Sequence, residues 1–452
     1  MNLNIILKRI KPNKKEKAAL EKFSNKLVKK FEKITKRAKP LICGSAAKDT
    51  WLSKRKELDL FLLFDPNISR KQLERDGLKL AKKLVKAFNG KYQIAFAEHP
   101  YLRGWIKGYE VDIVPAYSIE NPEKIKSAVD RTPHHVKFVK EKLKNPDEVR
   151  LLKQFCIANK CYGADIKTQG LSGYLCELLI IKYGSFMNCV KRTSKWRAGQ
   201  VIVFISFDKD FILKKFKDTL IVIDPVDKNR NVGAAVSAES FYKFVKASKD
   251  FVEKPSKSFF FPQKTKSYSS AKIIKEIKKR GTKWYLIRFK SPKILEDVLY
   301  SQMRRCAKAI ENLLIENGFR ILRKGFYCNK NCNLVFEMEI WQIPRISKNV
   351  GPNIFSKHAE EFLKHYKNKK VFIEGENWVV ETERKFTTIL HFLKNLFKKS
   401  KKGLLKKGIP SKIAPAIKNC KIYSGGNFLK QIKNSSKDFR IFLKEWFEKD
   451  LF

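Results

Sequence analysis

Gly44-Ser45-Ala46-Ala47-Lys48-Asp49-Thr50-Trp51-Leu52 is followed, past Lys56, by Glu57-Leu58-Asp59-Leu60-Phe61-Leu62-Leu63-Phe64. The second run is apolar beyond Asp59 and stops at Asp65-Pro66, so it reads as a buried strand. Residues two apart on a strand point to one face, which sets the Glu57 and Asp59 carboxylates side by side at its start. Ionised carboxylates on a buried strand cost free energy unless a cation meets them. Asp112, in Val111-Asp112-Ile113, is a third acid in the same setting on what reads as a neighbouring strand. Three such acids suit Mg²⁺, which takes oxygen ligands and shares them with substrate phosphates. Two such ions about 3.5–4 Å apart can activate a hydroxyl and stabilise a leaving pyrophosphate. Gly44-Ser45 supplies a tight turn whose N–H groups and hydroxyl can hold phosphate oxygens. Acidic residues at strand ends are common, and it is Asp112 that lifts the pattern above a coincidence of sequence.

Working outward, residues 13–37 carry Ala18, Leu20, Phe23, Leu27 and Phe31 among lysines, the pattern of an amphipathic helix. Pro40 and Leu41-Ile42-Cys43 then lead into the glycine turn. A helix is expected over 69–88, ended by Asn89-Gly90, and strands over 91–98, 102–107 and 109–114, the last two joined by a turn at Lys107-Gly108. Helix and strand thus alternate around a small mixed sheet. Longer helices follow at 147–160, 171–187 and 237–252, and the polar stretch near 255 reads as a linker. Beyond it, 271–280 and 295–317 read as helix, 283–289 and 333–343 as strand, and the C-terminal residues are rich in lysine. The pattern predicts a multidomain α+β protein divided at 1–145, 146–257 and 258–452.

The chain has 452 residues, 43% of them hydrophobic, which is enough for proper cores. Its 98 Lys+Arg against 45 Asp+Glu give a formal charge of +53, a field that attracts polyanions, nucleic acid foremost. The spread of that charge along the whole chain also fits a general lysine-rich habit. Nine cysteines lie scattered, and the closest pairs, Cys156 with Cys161 and Cys328 with Cys332, lack the second pair a zinc site needs; reduced thiols are expected. The opening MNLNIILKRI has no long apolar core. Leu171 to Val190 is the most apolar stretch, but Glu177 and Lys182 in its middle would each cost about 2.5–3.5 kcal/mol in a bilayer. A buried helix, no membrane and a cytoplasmic location are therefore expected. Phe259-Phe260-Phe261 and Lys283-Trp284-Tyr285 interleave charge and aromatic surface in a way that suits RNA stems. Aromatic runs are more often core, and core is the expectation here.

The glycine turn and acid pair are joined by Glu98-His99-Pro100-Tyr101, Val111-Asp112-Ile113-Val114-Pro115, Val129-Asp130-Arg131-Thr132-Pro133-His134-His135, Glu148-Val149-Arg150-Leu151-Leu152-Lys153, Tyr162-Gly163, Gly170 to Tyr183, and Asp224-Pro225-Val226-Asp227-Lys228-Asn229-Arg230-Asn231-Val232. Together these resemble the polymerase-β-like nucleotidyltransferases in their archaeal-type (class I) CCA-adding version. The likeness is collinear and strong over most of the first 255 residues; fainter echoes reach Gly351-Pro352 and Arg384 to Thr388. The resemblance implies a catalytic head, a helical neck, and an α/β body and tail that bind the acceptor and T stems of tRNA. It implies template-independent addition of C, C and A to the tRNA 3′ end from CTP and ATP. Glu57, Asp59 and Asp112 would hold two Mg²⁺ ions. Gly44, Ser45, His135, Lys153 and Tyr162 would hold triphosphate and ribose, with Thr50 nearby; Arg230 would read the base, and His99 would help position the RNA end. Family members are often dimeric. Ala46 and Ala47 depart from the pattern, where at least one bulkier or polar residue is expected.

The assignment of Arg230 has a chemical logic. Cytosine and adenine share an amino donor beside a ring-nitrogen acceptor, and an arginine carries only donors. It can pair that ring nitrogen but not the N–H of uracil or guanine. Read without the resemblance, Arg230 is a salt-bridge partner for Asp227 or Asp224, Lys153 a solvated charge, Tyr162 a packing residue and His135 part of a helix start; His134, His358, His365 and His391 carry no role. Two other functions stay open on sequence alone: an ATP-only transferase of the poly(A)-polymerase or oligoadenylate-synthetase kind, and a non-catalytic RNA-binding module on the same fold.

Overall fold

The computed structural model describes residues 1–96, 99–204, 209–262 and 267–448, the side chains of 209–211 excepted. Glu98 of the His99 motif lies outside the described residues. The chain forms two compact units, Met1–Gln263 and Lys264–Phe452.

In the first unit α1 (Asn4–Ile10) precedes α2 (Lys14–Ile34), which opens on a capping box: Asn13 accepts from the Glu16 N–H while the Glu16 side chain accepts from the Asn13 N–H. A sheet follows, built from β1 (Ala38–Cys43), β2 (Glu57–Phe64), β3 (Lys91–Phe96), β4 (Pro100–Ile106) and β5 (Tyr109–Tyr117) in the order β1-β2-β5-β4-β3. The short α3 (Gly44–Ala47) and α4 (Arg70–Lys86) are interposed in sequence. Only β2 and β5 run parallel, so the sheet is mixed as the alternating pattern predicts. Along β2, Leu58, Leu60, Leu62 and Phe64 join the core under α2 and α4, while Phe61 joins a smaller cluster with Val136 on the opposite face. Burying side chains such as Leu60 and Leu62 completely contributes about 1.5–3 kcal/mol each and leaves one face of the strand for Asp59. Helix α4 lies so close that a Cβ at Gly77 would fall 2.3 Å from Pro115 on β5.

The same unit continues with α5 (Arg131–Lys142), α6 (Pro146–Ala158), α7 (Gly173–Tyr183), α8 (Phe186–Thr193), the pair β6 (Gln200–Ile202) and β7 (Leu220–Val222) around α9 (Lys209–Lys215), and α10 (Ala238–Glu253). The single helix expected over 171–187 is two. Gly184 at φ +81° ends α7, and Ser185 caps α8 by accepting from the Asn188 N–H. Phe155, Phe186, Phe251 and Phe260 form one edge-to-face aromatic cluster. The stretch read as a linker near 255 is held in this cluster at least as far as Phe261, which lies under Arg9 at 4.0 Å. Phe260 is fully buried, so this triple is core rather than RNA surface.

In the second unit α11 (Ser270–Lys279), β8 (Lys283–Lys290), α12 (Glu296–Glu316), β9 (Arg320–Cys328) and β10 (Asn331–Ile340) precede a three-stranded sheet of β11 (Ile346–Asn353), β12 (Val371–Glu374) and β13 (Asn377–Glu383). Strand β14 (Lys421–Ser424) returns to pair with β8, giving the order β14-β8-β10-β9. Tyr285, Ile287 and Phe289 on β8 pack with α12; Trp284 and Leu286 face the opposite cluster with Trp446. Both aromatics of Lys283-Trp284-Tyr285 are therefore core. All nine cysteines are free thiols. Among the described residues no helix is long and apolar enough to cross a membrane.

Candidate active site

Parallel pairing of β2 with β5 sets Asp59 directly opposite Asp112, and antiparallel pairing of β4 with β5 sets Arg103 opposite Asp112 on the other side. All three side chains share the sheet face away from α2 and α4. Gly44 at the end of β1 takes φ +64°, and a Cβ there would fall 1.7 Å from Asp59 Oδ2, so glycine is required both by the backbone and by the space. Ala46 and Ala47 pack into the cores on either side of the turn, and neither lines the cavity.

That cavity, of about 490 Å³, brings together Gly44, Ser45, Asp59 and Asp112 with His99, His135, Lys153, Tyr162 and Arg230. Two predicted residues stand apart from it. Glu57 lies on the same strand face, but its side chain is 61% exposed and 3.7 Å from Arg55. Among the described residues no three acidic, histidine or cysteine side chains are already gathered as a metal cage. Thr50 is fully buried behind the wall, where its Oγ donates to Glu177 Oε1 at 2.6 Å and accepts from Lys153 Nζ at 2.9 Å.

The electrostatics of the acid pair fit a bound cation. Burial and the neighbouring Asp112 push the Asp59 carboxyl up to about 6, and Lys48 and Arg103 offset this only in part. A divalent ion between the two carboxylates would supply the missing positive charge. Arg103 partly fills that role for Asp112, donating from Nε to Oδ1 at 2.7 Å and from Nη2 to Oδ2 at 2.8 Å. Sequence reading passed over it, yet the two-residue turn at Lys107-Gly108 places it: counting outward in step from that turn pairs Arg103 with Asp112.

Behind the cavity residues His135, Tyr174 and Arg230, Asp224, fully buried, is the shared partner of three side chains. Arg230 Nη1 donates at 2.8 Å, Tyr174 Oη donates at 3.1 Å, and His135 Nε2 lies at 2.9 Å. The salt-bridge reading of Arg230 is thus realised, with Asp224; Asp227 pairs with Arg131 instead. The arginine still faces the cavity, its side chain 36% exposed. Burial works to raise the Asp224 carboxyl, but His135, the Val226 N–H and Arg230 outweigh it and hold it below the usual range. Burial lowers the His135 pKa, and its ring stacks on Tyr174 at 3.9 Å. Lys153 is no solvated charge: its side chain is buried and 3.2 Å from Glu177. His99 is buried too, and its Nε2 has no partner among the described residues.

Three family models cover the chain in succession: a nucleotidyltransferase domain over 20–135, the second domain of tRNA nucleotidyltransferase over 147–261, and the C-terminal domain of CCA-adding enzyme over 280–425. The CCA-adding enzyme of Methanocaldococcus jannaschii is 40% identical over 87% of this chain and 90% of its own. The chain belongs to the CCA-adding enzyme family. Within that family it is also 39% identical to the Archaeoglobus fulgidus enzyme over 76% of this chain and 78% of that one. It is 34% identical to the Methanosarcina acetivorans enzyme over 98% and 97%. Among solved structures, a cytoplasmic RNA terminal U-transferase covers 57% of this chain and 94% of its own at a TM-score of 0.44 and 15% identity, a likeness too slight to build on. Nucleotidyltransferases generally use divalent metal ions, in keeping with the acid pair. For this family member Gly44→Ala is expected to cut nucleotide addition by roughly a hundredfold or more, because a Cβ must push Asp59 aside as well as strain the turn. Single-nucleotide incorporation with a melting curve checks it: activity should fall far more than stability.

Proposed function

We propose that the chain extends the 3′ end of tRNA by C, C and A in turn, without a template, from CTP and ATP, releasing pyrophosphate. One observation carries this most: two carboxylates paired across adjacent strands open onto a cavity that is also lined by buried lysines and by an arginine held on Asp224. In this reading Asp59 and Asp112, with Glu57 turning in from the same face, hold two Mg²⁺ ions. Those ions, when bound, lower the barrier to attack by the RNA 3′ hydroxyl and stabilise the pyrophosphate. Gly44 and Ser45 offer backbone N–H and hydroxyl donors to the triphosphate, Lys48 and Lys153 offer ammonium groups, and His135 and Tyr162 line the same path. Thr50 acts from behind by holding Lys153. Arg230 keeps one nitrogen on Asp224, and donors on its remaining nitrogens are left for the ring nitrogen of C or A. His99, with its unpartnered Nε2, is placed for the RNA end.

A head at 1–145, a neck at 146–257, and a body and tail at 258–452 that take the acceptor and T stems belong to the same proposal. So do a homodimeric assembly, which rests on family likeness, and a cytoplasmic location, which rests on the sequence reading. With a formal charge of +53, tRNA binding should depend steeply on salt. Six or more neutralised phosphates would lose roughly a thousandfold in affinity between about 50 and 200 mM. A filter-binding series over that range checks it.

The deciding assay uses purified protein, Mg²⁺ and a tRNA transcript lacking its CCA end, with nucleotides given singly and in pairs. Two additions with CTP, and one more only when ATP is present, are expected. Long tails from ATP alone would instead assign an ATP-specific transferase, and tRNA binding without any extension would assign an RNA-binding module.

A further inference from the structure

Glu177 sits midway along α7, in the run Leu175 to Ile180 that is otherwise apolar apart from Cys176, and it is completely buried. A carboxylate there is tolerable only if cations and hydrogen bonds surround it. They come from three separate places in the chain. Lys48, four residues beyond the glycine turn, donates from Nζ to Oε2 at 2.5 Å. Thr50 donates to Oε1 at 2.6 Å, and Lys153 on α6 donates to Oε1 at 3.2 Å. The Lys153 ammonium also reaches the Thr50 carbonyl at 3.2 Å and its Oγ at 2.9 Å, so it has three acceptors for its three protons. Lys48, Lys153 and Glu177 all line the cavity that holds Asp59. Gly173 keeps this corner open: a Cβ there would stand 3.2 Å from Tyr162 Oη and 3.5 Å from Lys153 Nζ.

Two ammonium groups share one carboxylate, so the cluster carries an excess positive charge in a buried wall. We propose that Glu177 is a positioning residue that keeps both lysines charged and aimed at the triphosphate, whose own negative charge takes over when a nucleotide binds. The proposal rests on the nucleotide-binding reading of this cavity. A buried lysine without a counter-ion tends to lose its proton. Burial already pulls Lys153 down, with Lys48 acting in the same direction, and Glu177 is the main group that opposes both, with Cys176 adding less. The other groups facing it are Cys176, Thr50 and, across Gly173, Tyr162. Removing the Glu177 charge would therefore bring Lys153 toward its neutral form within the working pH range. A neutral amine holds phosphate far less well.

The test is calorimetric titration of CTP with Mg²⁺, without tRNA, from about pH 6.5 to about pH 9. The parent protein should give a nearly flat Kd. Glu177→Gln should bind CTP about tenfold more weakly near neutrality, and weaker still as the pH rises. A Kd profile parallel to the parent's would overturn the proposal and leave Glu177 a packing residue. Should Glu177→Gln not fold, Lys48→Met/Glu177→Gln, in which one cation leaves with the anion, is compared with Lys48→Met alone. The same steepening is then expected, and a parallel profile again overturns it. Lys153→Met separates the two levels: if it binds CTP as the parent does, the reading of the cavity itself has failed.

Discussion

Asp59→Ala lowers nucleotide addition by at least about a thousandfold and leaves tRNA affinity within about threefold, since the loss falls on transition-state charge and not on the basic surface that binds RNA. Asp112→Ala is expected to do the same. The two are separated by stability. Asp59 is a buried acid whose folded pKa, about 6, lies above its ordinary 3.8. Such a group is stabilising only while protonated, so its contribution is lost as pH rises from about 4 through about 6. At neutral pH the charged form costs roughly 2–3 kcal/mol, taking the shift at 1.36 kcal/mol per unit. Asp59→Asn should therefore melt several degrees higher than the parent while being inactive. Asp112→Ala, which strips Arg103 of its bidentate partner, should melt lower. A variant at Asp59 that is both active and unchanged in melting temperature would overturn the metal-site reading.

The second large effect is at Arg230. Arg230→Ala should reduce CTP and ATP incorporation by about 10²–10³-fold and leave the low use of UTP and GTP almost where it was, so that discrimination collapses. A site built to donate to a ring nitrogen gains most of its selectivity from that one contact, and the loss should appear equally for C and A. Single-turnover incorporation of each of the four nucleotides measures it directly. If the preference for C and A persists at full strength, Arg230 serves only as the salt-bridge partner of Asp224 and the base is read elsewhere.

The parts of the molecule that were readable from sequence are those whose signal is local. Strand β2 declares itself by its apolar run, α2 by the amphipathic spacing of Leu20, Phe23, Leu27 and Phe31, and Gly44 by the turn it must make. Helix α5 was legible only as a helix start at His135, and its extent to Lys142 was not, because His134, His135 and Lys137 break up its apolar face. The charges of β9, Arg320, Arg323 and Lys324, hid a strand whose Phe326 and Tyr327 pack on opposite faces. Of the residues that line the cavity, Asp59 and Asp112 were legible from strand spacing and Lys153 and Arg230 through collinear motifs. The interactions that aim them were not: Lys48 meets Glu177 across 129 positions of chain, and His135 meets Asp224 across 89. No periodicity reports such a pairing. Glu177 entered the sequence reading only as an obstacle to membrane insertion, when its burial beside two lysines is what makes it informative.

The pairing of β2 with β5 has a practical corollary for handling the enzyme. The acids belong to strands separated by the α4 and β3–β4 segments, and a slip of one residue between them would turn one carboxylate to the opposite side of the sheet. No intermediate geometry exists between the two registers. A molecule with that slip is thus silent, and slippage shows as fewer working molecules at an unaltered turnover number. Comparisons between preparations then require a count of competent sites, because total protein conflates a slow enzyme with a partly folded one.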